Sequence, residues 1–279
     1  MTTTQPIAPL EPAESAGWDT GSTAGFFRYY EQQSLSPATL ERFRSTTETL
    51  LELASDATPE RKPLEVLDIG CGAGAQGQFW LTKGHRYRGL DINRPLVELA
   101  RERFRAQGLD AKFEVGSATA LPYGDGSIDI CVLPFILEHV ADWQSCLDEA
   151  LRVLRPSGLV FVSTTNRLCP VQDEFNLPLY GWYPGWLKRR YEELAVSTRP
   201  ELVSHAKYPA VNWFSVYQLG AYLRSKGCSQ VYDRFDLIRT TGRGWKVRAG
   251  IRLVRSLPPA RWLAQVCTPY SLVVGRKQR

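Results

Sequence analysis

The sequence predicts an α/β protein built on a doubly wound, mostly parallel sheet of seven strands. Three observations carry that expectation. From Pro63 to Asn166 short apolar runs alternate with longer amphipathic segments. The runs read as near-continuous apolar stretches, the pattern of strands covered on both faces. The first run ends in an acid followed by a glycine-rich turn that opens a helix, and right-handed crossovers then wind helices over both faces.

The elements follow in order. Residues 1–24 are rich in Thr, Pro, Ala, Ser and Gly without periodicity, and are expected to form a disordered tail. Residues 25–60 are expected to form a helical extension. Ser36-Pro37 is a helix start, and Leu40, Phe43, Leu50 and Leu51 give an apolar face. The main domain is then 61–279. Its strands are expected at 64–69, 86–91, 111–115, 128–133 and 159–164, with helices at 75–83, 94–107 and 141–154. After Asn166 the alternation stops. Residues 167–213 are dense in aromatics and prolines and read as a long irregular insertion, which in a compact domain is usually functional. A helix at 215–226, a strand at 229–236 and a last strand at 270–275 complete the pattern.

Composition bounds the function. The chain has 279 residues, 43% hydrophobic and 23% charged, as a folded globular protein has. No apolar stretch is long enough to span a bilayer. The N-terminus lacks the basic start and apolar run of a secretory signal, so a cytoplasmic location is expected. The six cysteines are scattered without a C-x-x-C pair, which argues against a structural zinc site or a disulfide framework. Net charge is +5 but uneven: residues 237–279 hold ten basic side chains and no acidic one.

The chemistry-bearing segment is Val66-Leu67-Asp68-Ile69-Gly70-Cys71-Gly72-Ala73-Gly74. Glycines there let a ligand approach the backbone and permit positive φ. Gly72-Ala73-Gly74-Ala75-Gln76-Gly77 also matches the dinucleotide fingerprint, with Asp91 as the ribose acid. However, Asp68 at the strand tip would repel a pyrophosphate. It suits a ligand bearing a positive amine, such as S-adenosylmethionine (SAM). A dinucleotide oxidoreductase therefore stands as a rival class, and it predicts NADH binding.

The segment resembles the first motif of class I SAM-dependent methyltransferases, whose sheet is Rossmann-like. Gly89-Leu90-Asp91-Ile92 resembles that family's second-strand acid, which holds both ribose hydroxyls. Residues 113–129, 135–140 and 154–158 resemble its later motifs, in order, and the likeness covers roughly 64–166. The subfamily is similar to the methyltransferase-11 and quinone-type O-methyltransferases. The resemblance implies that Asp68, Gly70, Cys71, Gly72 and Gly74 hold the methionyl part of SAM. Asp91 and Ile92 would hold the ribose and adenine edge, Ser117 and Ala118 would meet the adenine, and Leu133 is a further cofactor-binding candidate. The family usually has an acid at the position of Ser117, and serine offers a neutral acceptor instead.

An acceptor alcohol needs a base, and His139 just past strand four is the first candidate; His205 in the insertion is the second. Glu138 could position substrate, and His85 is expected to be structural. Strand four ends in Val132-Leu133-Pro134-Phe135. That lacks the N-P-P-Y pattern of amino-methylating nucleic-acid enzymes and the Asp/Asn ligands of metal-dependent catechol methyltransferases, so no metal is expected. Residues 167–213 suit an acceptor-binding lid, with Tyr180, Trp182, Tyr183, Trp186 and Trp213 as an apolar or sugar-stacking wall, or as the lid's own core. Tyr29 and Tyr30 are candidates to cap the cofactor pocket. Basic residues within 246–257 interleave with Val247, Ile251, Val254 and Leu257, a surface that suits an anionic membrane, a phosphate-bearing acceptor or a solvated sheet edge. No nucleic-acid module is recognised.

The expectation is methyl transfer from SAM to a hydroxyl of a small or lipid-linked acceptor: a quinone, glycolipid or natural product. An N- or C-methyltransferase and a non-catalytic SAM-binding protein are the alternatives.

Overall fold

Seven strands form one sheet in the order β3-β2-β1-β4-β5-β7-β6. The computed structural model describes residues 30, 33–57, 63–172, 175–202, 210–240, 242 and 244–279. The strands are β1 (Glu65–Ile69), β2 (Arg86–Asp91), β3 (Lys112–Val115), β4 (Ile128–Pro134), β5 (Leu154–Thr165), β6 (Cys228–Asp233) and β7 (Tyr270–Lys277). The helices are α1 (Pro37–Ala57), α2 (Gly77–Leu81), α3 (Arg94–Ala106), α4 (Trp143–Val153), α5 (Gly185–Ser197), α6 (Val216–Ser225), α7 (Arg234–Leu237), α8 (Trp245–Ser256) and α9 (Pro258–Val266). The first five strands pair in parallel, and β7 runs antiparallel to both β5 and β6.

The central strands are buried on both faces, which explains their unbroken apolar character: every residue of β1 is buried. One face packs Leu67, Leu133, Leu147, Val160 and Leu219 into a core. The other packs Leu50, Val66, Trp80, Val97, Phe104 and Phe161. Helix starts are specified locally. Asn93 accepts from Leu96 N–H at 3.2 Å, Asp142 from Ser145 N–H at 3.0 Å and Ser215 from Gln218 N–H at 3.2 Å. His85 is structural, its Nδ1 accepting from Leu64 N–H at 3.2 Å.

Three local readings are corrected. The stretch 167–213 is not irregular throughout, because it contains the thirteen-residue α5, whose N-cap is Pro184. The strand expected to run to residue 236 stops at Asp233. There a capping box between Asp233 and Asp236 turns the chain into α7. Strand β5 starts at Leu154, which pairs with Ile128 across an irregularity in register. The segment 1–24 lies outside the described residues.

Candidate active site

Strand β1 lies between β2 and β4, so the chain leaves it in opposite directions on either side. A crevice opens at that reversal, above the carboxyl ends of the strands. The glycine-rich loop forms its floor. Gly70, Gly72 and Gly74 have φ of +77°, +51° and +74°. A Cβ on Gly70 would collide with Ile136 Cδ1, and one on Gly72 would lie 2.8 Å from the Tyr30 ring. Residues from both sides thus close on the loop, Ile136 from the segment after β4 and Tyr30 from the N-terminal extension. Arg103 holds Tyr30 there, donating to Tyr30 O at 2.7 Å and to Ala73 O at 3.3 Å.

Asp91 locks this loop to β2. Its Oδ2 accepts from Gly72 N–H at 2.8 Å and its Oδ1 from Asn93 N–H at 2.9 Å. Burial raises its pKa, and these backbone bonds oppose the rise. Asp68 is buried beneath the loop, its Oδ2 accepting from the Tyr87 hydroxyl at 2.5 Å. Its Oδ1 is buried without a hydrogen-bond partner, as is Gln76 Nε2. Burial pushes Asp68 up to about 7, against the pull of the Tyr87 hydroxyl. Burial also raises the Cys71 thiol well above its usual range, with Asp91 and Asp68 adding to the rise. Ile92 is half-buried, and Leu133 is buried in the core. At the end of β3, Ser117 Oγ shares a 2.8 Å hydrogen bond with Thr119 Oγ1, beside the buried Ala118.

The segment after β4 forms the other wall. Phe135 adopts φ of +55°, uncommon for a side chain of this size, and its N–H bonds Ser163 O at 2.7 Å. Glu138 is fully buried, its Oε2 accepting from Thr164 Oγ1 at 2.7 Å. His139 is half-buried in the turn, its N–H on Ile136 O at 2.9 Å. His205 and Tyr29 lie outside the described residues.

The insertion docks on this wall through backbone. Val211 and Asn212 N–H groups both reach Glu138 O, at 2.9 and 3.0 Å, and Asn212 Nδ2 donates to Val140 O at 2.7 Å. The expected aromatic wall divides. Tyr180 is fully buried in a small core with Phe175 and Ala195, and Tyr183 and Trp213 pack against it. Trp182 and Trp186 are exposed. Sequence reasoning missed Lys188, whose ammonium sits 4.3 Å from the Trp213 ring centre and is lowered to about 8 by burial. The signal was present: Lys188 follows Pro184 by one helical turn. Trp213 Nε1 is buried without a partner. A separate cleft of about 280 Å3 between α1 and β7 is lined by none of the site residues the sequence nominated. Among the described residues, no group of three or more His, Cys, Asp or Glu could hold a metal ion.

A family model described as methyltransferase domain matches residues 67–162. The chain is 28% identical over 183 residues to a ubiquinone biosynthesis O-methyltransferase of Parvibaculum lavamentivorans, covering 66% of this chain and 70% of that protein. It is 35% identical over 113 residues to norajmaline N-methyltransferase of Rauvolfia serpentina, covering 39% of each. Among solved structures, the CurJ carbon methyltransferase has a TM-score of 0.54 at 16% identity, covering 89% of this chain and 57% of that one, a likeness of fold. Residues 67–162 are thus similar to a methyltransferase domain, and the chain is similar to curated methyltransferases over part of its length. The matching segment is the one that carries the motifs from Asp68 to Gly158.

Proposed function

We propose that the protein transfers a methyl group from SAM to a hydroxyl oxygen of a small or lipid-linked acceptor. The observation that carries the cofactor part is the Asp91–Gly72 bond, which holds a positive-φ loop open at the crevice. The residues fit this cofactor. Asp68 offers a buried oxygen without a partner to a cationic ligand, and glycines at 70, 72 and 74 leave backbone accessible. Asp68, Gly70, Cys71, Gly72 and Gly74 would hold the methionyl part. Asp91 and Ile92 would hold the ribose, and Ser117 with Ala118 would meet the adenine, Leu133 packing below. Tyr30 would cover the loop. The bound cofactor supplies a sulfonium-activated methyl group.

The chain's own residues align the acceptor and remove its proton. His139 is the base candidate, since it stands in the turn after β4 beside the docked insertion. Residues 167–213 form the acceptor lid. Trp213 Nε1, buried and unpartnered, is a donor for an acceptor oxygen. Tyr183 lies at the lid's half-buried face and Trp182 on its exposed face, while Tyr180 shapes both from inside. Oxygen as the acceptor atom is supported by the quinone-pathway relative, and nitrogen by the norajmaline enzyme at shorter coverage.

Calorimetry tests the cofactor site. SAM should bind the wild type and lose at least tenfold in affinity with Asp91→Ala. NADH competing with SAM at micromolar concentration would overturn the reading of Asp68. For His139, replacement by Gln should lower kcat and remove the acidic limb of its pH profile without weakening SAM binding.

A further inference from the structure

The insertion between β6 and β7 builds a helical hairpin whose outer side is both apolar and cationic. On α8, Ile251 and Val254 turn inward and are half-buried. Trp245, Ala249, Leu253 and Leu257 recur every four residues, one stripe on a helix. That stripe is exposed: Trp245 at 75%, Leu253 at 53% and Leu257 at 49%. Helix α9 adds Trp262 and Leu263, at 51% and 58%. Isolated exposed apolar residues need no explanation, but a cluster of five large ones on two adjoining helices does.

The cations around the stripe divide by use. Arg255 caps α7, donating to Phe235 O, Asp236 O and Ile238 O at 2.8–3.0 Å. Arg261 pairs with Asp233 and Asp236. Lys246, Arg248 and Arg252 are exposed and form no ion pair among the described residues. No acidic residue occurs from 237 to the end of the chain, so nothing local neutralises them.

The hairpin is also anchored beside the lid. Asn166, where β5 ends and the insertion begins, donates from Nδ2 to Gln265 O at 2.8 Å and Thr268 O at 2.6 Å. The end of α9 is thus fixed at the edge where the acceptor would enter. We infer that the α8–α9 hairpin is a docking surface for an anionic lipid bilayer, with Trp245, Leu253, Leu257, Trp262 and Leu263 entering the interface and Lys246, Arg248 and Arg252 meeting the headgroups. A second copy of the chain is the poorer occupant, because two such hairpins would bring like charges together. Tryptophan suits the boundary, having an apolar body and a polar N–H. The inference stands apart from the identity of the acceptor.

The test uses the full chain and co-sedimentation with vesicles, without cofactor or acceptor. At low salt the protein should sediment with phosphatidylcholine vesicles containing phosphatidylglycerol and stay in solution with phosphatidylcholine alone. Lys246→Gln, Arg248→Gln and Arg252→Gln together should weaken binding about 100-fold, at roughly one third of that loss in logarithmic terms per cation. Trp245→Ser with Leu253→Ser should weaken it without altering SAM binding. Equal partition onto both vesicles, or onto neither, overturns the inference. So does a concentration-dependent dimer dispersed by Trp245→Ser in a protein that ignores anionic vesicles. None of these outcomes touches the methyltransferase reading, which is measured by SAM binding and turnover.

Discussion

Tyr87 donates its phenol hydrogen to Asp68 Oδ2 across 2.5 Å and so joins β2 to the acid near the end of β1. The bond lies in a buried setting that raises Asp68 to about 7. An unfolded aspartate titrates near pH ~4. Between these values the folded chain keeps a proton that the unfolded chain has released. The carboxyl's contribution to stability is therefore full at low pH and falls as pH rises to about 7. The Tm difference between Asp68→Asn and the wild type, without SAM, should grow from near zero at acid pH to several degrees above pH ~8. A flat difference in scanning calorimetry would show that Asp68 does not titrate there. SAM carries an ammonium that favours the ionised carboxylate, so wild-type affinity should rise with pH through that range and the variant's should not.

Tyr30 and Gly72 form a second coupled pair. Gly72→Ala places a methyl 2.8 Å from the Tyr30 ring at a φ of +51°. Steric conflict and left-handed strain of about 1 kcal/mol both act. Gly72→Ala should weaken SAM binding at least tenfold. Adding Tyr30→Ala should recover part of that loss, because the ring conflict goes and the backbone strain stays. Strict additivity in calorimetric binding would show that the ring does not press on the loop.

Thr164 is the hydroxyl partner of the buried Glu138 carboxylate, at 2.7 Å. Thr164→Val keeps the shape and removes the donor. It should cost about 1–3 kcal/mol in urea unfolding. The same change should speed proteolysis of the insertion, since Glu138 O receives Val211 and Asn212. Wild-type cleavage rates would separate lid docking from the buried carboxylate.

Lys188 should be the most reactive lysine amine near pH 8. Its ammonium is lowered to about 8 by burial against Tyr180 and Trp213. The depressed value means that the folded lid gains stability as pH rises above 8 toward the unfolded lysine range. Brief acetic-anhydride labelling followed by mass spectrometry should modify Lys188 ahead of Lys83 and Lys112. Equal labelling would place its titration at the ordinary value.

The sheet was legible because buried parallel strands write themselves as apolar runs, as Val66 to Ile69 and Ile128 to Leu133 do. The glycine loop was legible because only glycine takes the positive φ at 70, 72 and 74 without strain. The helix α5 was not, since aromatics and prolines around Tyr180 and Pro184 hide a spacing shared by Leu187, Tyr191 and Leu194. Pro258 and Pro259 open α9 at its first turn, where a missing backbone N–H costs nothing. The unpartnered Asp68 Oδ1 and the Lys188–Trp213 contact depend on residues distant in sequence or on three-dimensional burial, which no local pattern encodes.

The central claim is methyl transfer from SAM to a hydroxyl of a small or lipid-linked acceptor, and methyl-labelled SAM tests it most directly. Purified protein is incubated with extract of its own source, then lipid, aqueous small-molecule, RNA and protein fractions are separated. The account predicts label in the lipid or aqueous small-molecule fraction, lost with Asp91→Ala. Label confined to the RNA or protein fraction, or none while SAM remains bound, would contradict it.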